Sequence, residues 1–207
     1  MTSDLPLRRP ACAACLRAQS ACICAWVRPV ALQTGLLILQ HPFEVGNAKN
    51  SARLLHLCVA GSVLSVGEAF DPLSLDAMLH ADGRTPVLLY PQTPGLVSPG
   101  PDSALPPDQL LIVVLDATWR KSRKMLYLNP ALQRLPRLAL VDMPASGYRI
   151  RKAQAADQLS TLEASAHALG QVGGSMGAVA PLFAAFDGFV QQQAAFVPLG
   201  SARTRGA

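Results

Sequence analysis

The carboxylate of Asp116 is the first group in this chain placed where chemistry can be done. It follows Leu110-Leu111-Ile112-Val113-Val114-Leu115, an unbroken branched apolar run that reads as a strand buried on both faces of a parallel sheet. Open α/β sheets hold their ligands at the carboxyl ends of such strands. Past Ala117-Thr118 a helix is expected over Trp119 to Leu128, and it opens with Arg120, Lys121, Arg123 and Lys124. Cations in a first helical turn oppose the helix dipole at a cost of about 0.3–1 kcal/mol each. The run therefore points to an anionic partner outside the protein, or else to a solvated basic face. Asp116, Thr118 and Trp119 are the candidate catalytic residues. Trp119 is either a stacking surface for a base or a core aromatic at the strand–helix junction.

A second group with chemical potential is Cys12-x-x-Cys15 followed, six residues on, by Cys22-x-Cys24. No apolar leader precedes these cysteines and no run is long enough for a membrane span, so the expected compartment is the cytoplasm. In a reducing compartment closely spaced cysteines bind metal or do redox work more often than they form staples. Four thiolates suit a closed tetrahedral zinc site. Redox chemistry and unliganded thiols are the alternatives. Ala11, Ala13, Ala14 and Ala21 offer little core, so metal is expected to order the segment. Arg8, Arg9, Arg17 and Arg28 surround it, as a knuckle touching phosphate would require. Cys58, among Leu54, Leu55, Leu57 and Val59, reads as a core residue.

Three further clusters carry polar groups. His41-Pro42-Phe43-Glu44 precedes Asn47, Lys49, Asn50, Ser51 and Arg53; Asn50 or Ser51 can cap a helix, and His41 reads as a hydrogen-bonded structural histidine or as a site residue. Tyr148-Arg149-Ile150-Arg151-Lys152 is a second basic segment. Ser160-Thr161-Leu162-Glu163 matches the capping box, while a helix start at a sheet edge can also bind a carboxylate or ribose through free amides.

The elements that must position these groups alternate. Strands are expected over Leu32 to Leu39, Ser62 to Val66, Pro86 to Tyr90, Leu110 to Leu115 and Arg137 to Asp142. Helices are expected over Asn50 to Ala60 (closed by Gly61), Leu73 to His80, Trp119 to Leu128, Ser160 to Val172 and Val179 to Ala195. This pattern implies an α/β fold, a mostly parallel sheet with helices on both faces. With 207 residues, 50% hydrophobic and 15% charged, the chain can bury a full core and is not a disordered one. Three parts are expected: a zinc-binding segment over 1–30, a catalytic domain over 31–197 and a disordered tail over 198–207. The Pro- and Gly-rich stretch from Pro91 to Gln109 is long for a connection, as functional loops are. Lys and Arg outnumber Asp and Glu by 18 to 13, and the pI is about 9.2, a modest basic excess concentrated in a few segments that fits a polyanion partner.

In order along the chain, the paired cysteine motifs, His41-Pro-x-Glu44, Asp116-x-Thr118-Trp119, Tyr148-x-x-Arg151-Lys152 and Ser160-Thr-x-Glu163 resemble the DTW-domain family. Asn50-Ser51 stands where that family more often has Asn-Thr. The resemblance runs from Cys12 to Ala195. It implies a fold related to the SPOUT superfamily, with the presence of a knot left open, and a tRNA-uridine aminocarboxypropyltransferase activity. The donor implied is S-adenosylmethionine, giving up its 3-amino-3-carboxypropyl group to N3 of a uridine in tRNA. Asp116 would serve as base or orient N3. The donor would lie near Leu89, Tyr90, Pro91, Leu115, Asp116, Ser160, Thr161 and Glu163. His41, Lys49, Asn50, Arg53, Arg120, Lys121, Arg123, Lys124, Arg149, Arg151 and Lys152 would face the RNA, and Cys12, Cys15, Cys22 and Cys24 would hold zinc. Two rivals are a SPOUT-type RNA methyltransferase and a non-catalytic zinc-containing RNA-binding protein. Monomer and homodimer are both compatible with the sequence.

Overall fold

A computed structural model describes residues 10–92, 105–140 and 159–196. Among these, strands β1 (Gly35–Gln40), β2 (Val63–Val66), β3 (Thr85–Leu89), β4 (Leu110–Asp116) and β5 (Arg137–Leu138) form one sheet in the order β2-β1-β4-β3-β5. Every pairing is parallel. Because successive strand side chains point to opposite faces, Leu36, Ile38, Ile112 and Val114 enter one apolar layer. Leu37, Leu39, Leu111 and Val113 enter the other. The first layer is covered by α2 (Ala52–Cys58), α6 (Thr161–Val172) and α7 (Met176–Ala195). The second is covered by α3 (Pro72–Leu79), α4 (Trp119–Leu128) and α5 (Pro130–Gln133). The α/β expectation, with helices on both faces, therefore holds.

The connections give the sheet its functional edge. From β1 the chain leaves through α1 (Pro42–Val45) and α2 to β2 at one margin; from β4 it leaves through α4 and α5 to β5 at the other. Since β1 and β4 are neighbours, their carboxyl ends form the switch point where such sheets bind ligands. Gln40 and Asp116 are the paired residues at that end.

Several boundaries differ from expectation. The first strand begins at Gly35, three residues later than expected; ahead of it Val30 forms an isolated bridge with Val59 at the end of α2, with Val30 N donating to the Cys58 carbonyl and Ala60 N to that of Val30. Helix α2 stops at Cys58, and Gly61 makes the following turn with φ +73°, a left-handed conformation that suits glycine. Helix α7 starts at Met176, three residues early, because Ser175 Oγ accepts from Ala178 N at 3.3 Å and caps a turn containing Gly177. Strand β5 covers Arg137–Leu138; Ala139 and Leu140 are not in the strand, and the last two residues of the expected one, Val141 and Asp142, lie outside the described residues. The disordered tail expected over 198–207 also lies outside them.

The cysteine segment shares the main core. Ile23 is fully buried and Cys15 nearly so, both in the layer with α6 and α7. The Trp26 ring lies against Gly188, where a Cβ would collide with it. Trp26 Nε1 donates to Gln192 Oε1 at 2.5 Å, and Gln192 Nε2 donates to the Cys22 carbonyl at 3.0 Å.

Candidate active site and metal centre

Asp116 is 3% exposed and surrounded by neutral donors. Its Oδ2 accepts from Gln40 Nε2 at 2.8 Å and Asn50 Nδ2 at 2.6 Å, and its Oδ1 accepts from Thr161 Oγ1 at 2.7 Å. An ionised carboxylate offers about four acceptor sites, so three donors leave one on Oδ1. Burial pushes the Asp116 carboxyl above its ordinary value; the three hydrogen bonds oppose that shift, and the Glu44 charge adds to it. No α4 cation counters the shift: Lys121 and Lys124 are paired with Glu44 and Glu68, and burial outweighs the neutral donors.

A cavity of about 210 Å³ opens beside this carboxylate, lined by Glu44, Asn47, Lys49, Asn50, Ser51, Asp116, Ala117, Ser160 and Thr161. Asp116 thus lies at a cleft although its own surface is covered. Three chain segments converge here through hydrogen bonds the sequence partly announces. Asn50 Oδ1 accepts from Ala52 N at 2.9 Å, capping α2 while its amide holds Asp116. Ser51 Oγ accepts from Leu162 N at 3.2 Å in the first turn of α6. The capping box is formed: Ser160 Oγ accepts from Glu163 N at 3.2 Å, and Glu163 Oε2 accepts from Ser160 N at 2.8 Å. Ser160 and Glu163 are thereby committed to the helix start, leaving Thr161 to reach Asp116.

The expected RNA-facing residues divide. His41 is 3% exposed. Its Nδ1 accepts from Phe43 N at 3.1 Å and its Nε2 lies 3.0 Å from Glu68 Oε1, so it caps α1 and is not presented to a partner. Arg53 donates to the Ala14 carbonyl at 2.7 Å, and Arg17 to the Ala48 and Asn50 carbonyls at 2.6 Å each. These two guanidiniums bind the cysteine segment to α2 and the loop before it, a structural use that the expectation of a phosphate contact did not include. Arg28 donates to the Ala25 and Val27 carbonyls at 3.0 Å each. Lys121 pairs with Glu44 Oε1 at 3.1 Å, and Lys124 with Glu68 Oε2 at 2.8 Å; Lys124 first and His41 second hold the Glu68 carboxyl below its ordinary value. Arg120 and Arg123 are exposed and make no hydrogen bond or ion pair among the described residues. Lys49 is exposed at the cavity. Arg8 and Arg9, together with Tyr148, Arg149, Arg151 and Lys152, lie outside the described residues.

Trp119 is 51% exposed, which excludes the core reading. It meets Tyr90 edge-on at 5.7 Å. Tyr90 in turn lies 3.3 Å from Ser122 Oγ through its hydroxyl, and the Arg137 guanidinium sits 5.2 Å from its ring centre. Arg137 is 6% exposed and its Nη1 has no hydrogen-bond partner among the described residues; no spacing in the sequence marks it. Thr118 is the residue before α4 and makes no side-chain cap. Leu89 and Leu115 are half-buried strand ends and Pro91 is exposed.

Cys12, Cys15, Cys22 and Cys24 bring their sulfurs within 4.8 Å of one another, with Cys12–Cys24 at 3.6 Å and Cys15–Cys22 at 3.8 Å. A tetrahedral ion about 2.3 Å from each sulfur sets neighbouring sulfurs roughly 3.8 Å apart, so this group could hold a metal ion. Leu16, with φ 62°, closes the turn after Cys15. Backbone amides of Cys15 and Ala14 hold the Cys12 thiol down to about 6, while burial and the crowding sulfurs push Cys24 up to about 12. Cys58 is buried among apolar residues as expected, and burial raises its thiol.

A doubly wound parallel sheet whose switch point joins a buried carboxylate, an amide cage and a helix N-terminus defines a ligand-binding α/β domain. More narrowly, the chain belongs to the DTW-domain family, whose model matches residues 9–194. It is 33% identical over 172 residues to tRNA-uridine aminocarboxypropyltransferase 2 of Mus musculus, covering 78% of this chain and 56% of that protein. To the protein of the same name in Drosophila melanogaster it is 31% identical over 175 residues, covering 82% of this chain and 69% of the relative. The chain thus spans little more than half the length of the mouse relative. No solved structure matches it. Among the described residues, no helix is long and apolar enough to cross a membrane.

Proposed function

We propose that this protein is a tRNA-uridine aminocarboxypropyltransferase, moving the 3-amino-3-carboxypropyl group of S-adenosylmethionine to N3 of a uridine in tRNA. The observation that carries the reading is Asp116 at the switch point, buried yet bordering a cavity and retaining an acceptor site. Its raised proton affinity makes it a stronger base than an ordinary carboxylate, and its cage fixes its orientation. In the reaction the N3 proton passes to Asp116, the N3 lone pair forms a bond to the propyl carbon beside sulfur, and the carbon–sulfur pair returns to sulfur. The sulfonium becomes a neutral thioether, and 5′-methylthioadenosine leaves. Holding N3 in line with that carbon supplies several kcal/mol of the acceleration.

The donor's nucleoside would lie by Leu89, Tyr90, Pro91 and Leu115, and its amino-acid end by Asp116 and the start of α6. At about 210 Å³ the cavity is smaller than the roughly 300–1,000 Å³ of a full ligand cleft, which fits the transferred fragment rather than the whole donor. Trp119 offers a base-stacking face, and Arg120 and Arg123 offer cations to the tRNA backbone. The four cysteines would hold a structural zinc ion, whose contribution is to fix residues 12–24 against α7. The compartment is the cytoplasm, where thiolates stay reduced and available to metal. Incubation with tRNA and donor, followed by nucleoside mass analysis, tests the assignment: aminocarboxypropyl-uridine supports it, and methyl-uridine or unmodified RNA contradicts it.

A further inference from the structure

We infer that Glu44 is the residue that receives the α-ammonium of the donor, so that the cavity beside Asp116 reads the donor as a zwitterion. This rests on the proposed donor and adds to it a residue that determines which end of the donor enters. Glu44 is 7% exposed yet lines the cavity. A buried acid at a cleft needs cationic company, and among the described residues Glu44 has one such partner, Lys121, at 3.1 Å on Oε1. On Oε2, among the described residues, it accepts only from the neutral Asn47 amide at 3.0 Å. With about four acceptor sites on the carboxylate, sites remain on both oxygens. The same cavity is bordered by Lys49 and by Ser160 and Thr161 at the start of the 12-residue helix α6, where the dipole favours a carboxylate. A space carrying an anionic side chain, a cationic side chain and a positive helix end suits a ligand with both charges. An adenosine or uracil ring, uncharged, has no need of them.

Glu44 has a position as well as a charge. It is held by α1, a single turn pinned by the Phe43 amide donating to His41 Nδ1 at 3.1 Å. His41 N in turn donates to the Asp116 carbonyl at 3.0 Å. Glu44 and Asp116 are therefore referred to the same stretch of backbone, which would set the ammonium in a fixed relation to the base.

Calorimetry of donor binding tests this without turnover, using S-adenosylmethionine and 5′-methylthioadenosine, which lacks the amino-acid group. Glu44→Gln should weaken S-adenosylmethionine binding about ten- to hundredfold, the range for losing a charged hydrogen bond, and leave methylthioadenosine binding unchanged. The loss should persist in Glu44→Gln combined with Lys121→Gln, which removes the unpaired lysine as a cause. Equal weakening of both ligands, no weakening of either, or recovery in the double variant would overturn the inference. Wild-type protein that binds neither ligand would overturn the donor assignment and this inference with it, whereas binding of both with an unaltered ratio in Glu44→Gln removes the Glu44 role alone.

Discussion

Gln40 and Asp116 are partners on the last rung between β1 and β4, and the Gln40 amide donates to the Asp116 carboxylate at 2.8 Å. The rung places both side chains on the sheet face covered by α2 and α6, since Ile38 and Val114, two residues earlier, belong to that layer. The acid is thus held by neutral groups from three segments, which leaves its proton affinity raised where an ion pair would lower it.

The first prediction concerns pH. Burial raises the Asp116 carboxyl above 3.8, so the folded protein favours its protonated form. The stability this contributes is present below that ordinary value and lost as pH rises through the raised one. Turnover moves the opposite way, appearing as the carboxylate ionises. The kcat/KM profile should therefore show an acid limb above 3.8, and Asp116→Asn should abolish turnover and lack the wild-type stability loss. Stability curves of wild type and variant that run parallel from about pH 4 to 8 would contradict this.

The second prediction separates the four cations of α4. Lys121 and Lys124 are already paired with acids, whereas Arg120 and Arg123 have no acidic partner among the described residues. Removing both arginines should reduce the slope of log affinity for tRNA against log salt by about 1.4–1.8, at roughly 0.7–0.9 per phosphate contact. Lys124→Gln should change it much less. Equal effects from the lysine and the arginines would show that the ion pairs open on binding.

The third concerns Trp119. Half of its surface is exposed, so Trp119→Ala should leave the melting temperature nearly unchanged and cost about 1–3 kcal/mol of tRNA affinity, the worth of one stacked base. A large drop in stability with affinity intact would return it to a packing role.

The fourth joins metal to fold. Cys22→Ser should remove bound zinc, measured by elemental analysis, and lower the melting temperature, because the segment it orders contributes Ile23 to the core. Gly188→Ala should destabilise by about 1–3 kcal/mol through collision with Trp26 while zinc is retained, a fall of roughly 2–4 °C per kcal/mol. Full stability in metal-free protein would contradict the structural role.

Much of this arrangement is legible in the chain. The apolar run before Asp116 fixes β4 and its carboxyl end, the cysteine spacing brings four sulfurs together, and Ser160-Thr-Leu-Glu163 forms the cap it spells. What is not legible is pairing across distance. Gln40 ends a strand like any other amide, and only the β1–β4 register makes it a partner of Asp116. The same holds for Arg17 and Arg53, whose charges suggest phosphate until the structure shows backbone carbonyls within reach, and for His41, whose two ring nitrogens are taken by Phe43 and Glu68. Basic residues look alike in a sequence; the acids opposite them belong to other elements. Arg137, beside Tyr90 and with an Nη1 unpaired among the described residues, carries no motif at all.

The most direct measurement supplies tRNA lacking the modification and S-adenosylmethionine labelled in its amino-acid carbons, then follows the label. The account predicts label in a uridine nucleoside heavier by the aminocarboxypropyl group, with methylthioadenosine released in equal amount, and neither product from Asp116→Asn. Label remaining on S-adenosylhomocysteine, with a methyl group on the RNA, would contradict it.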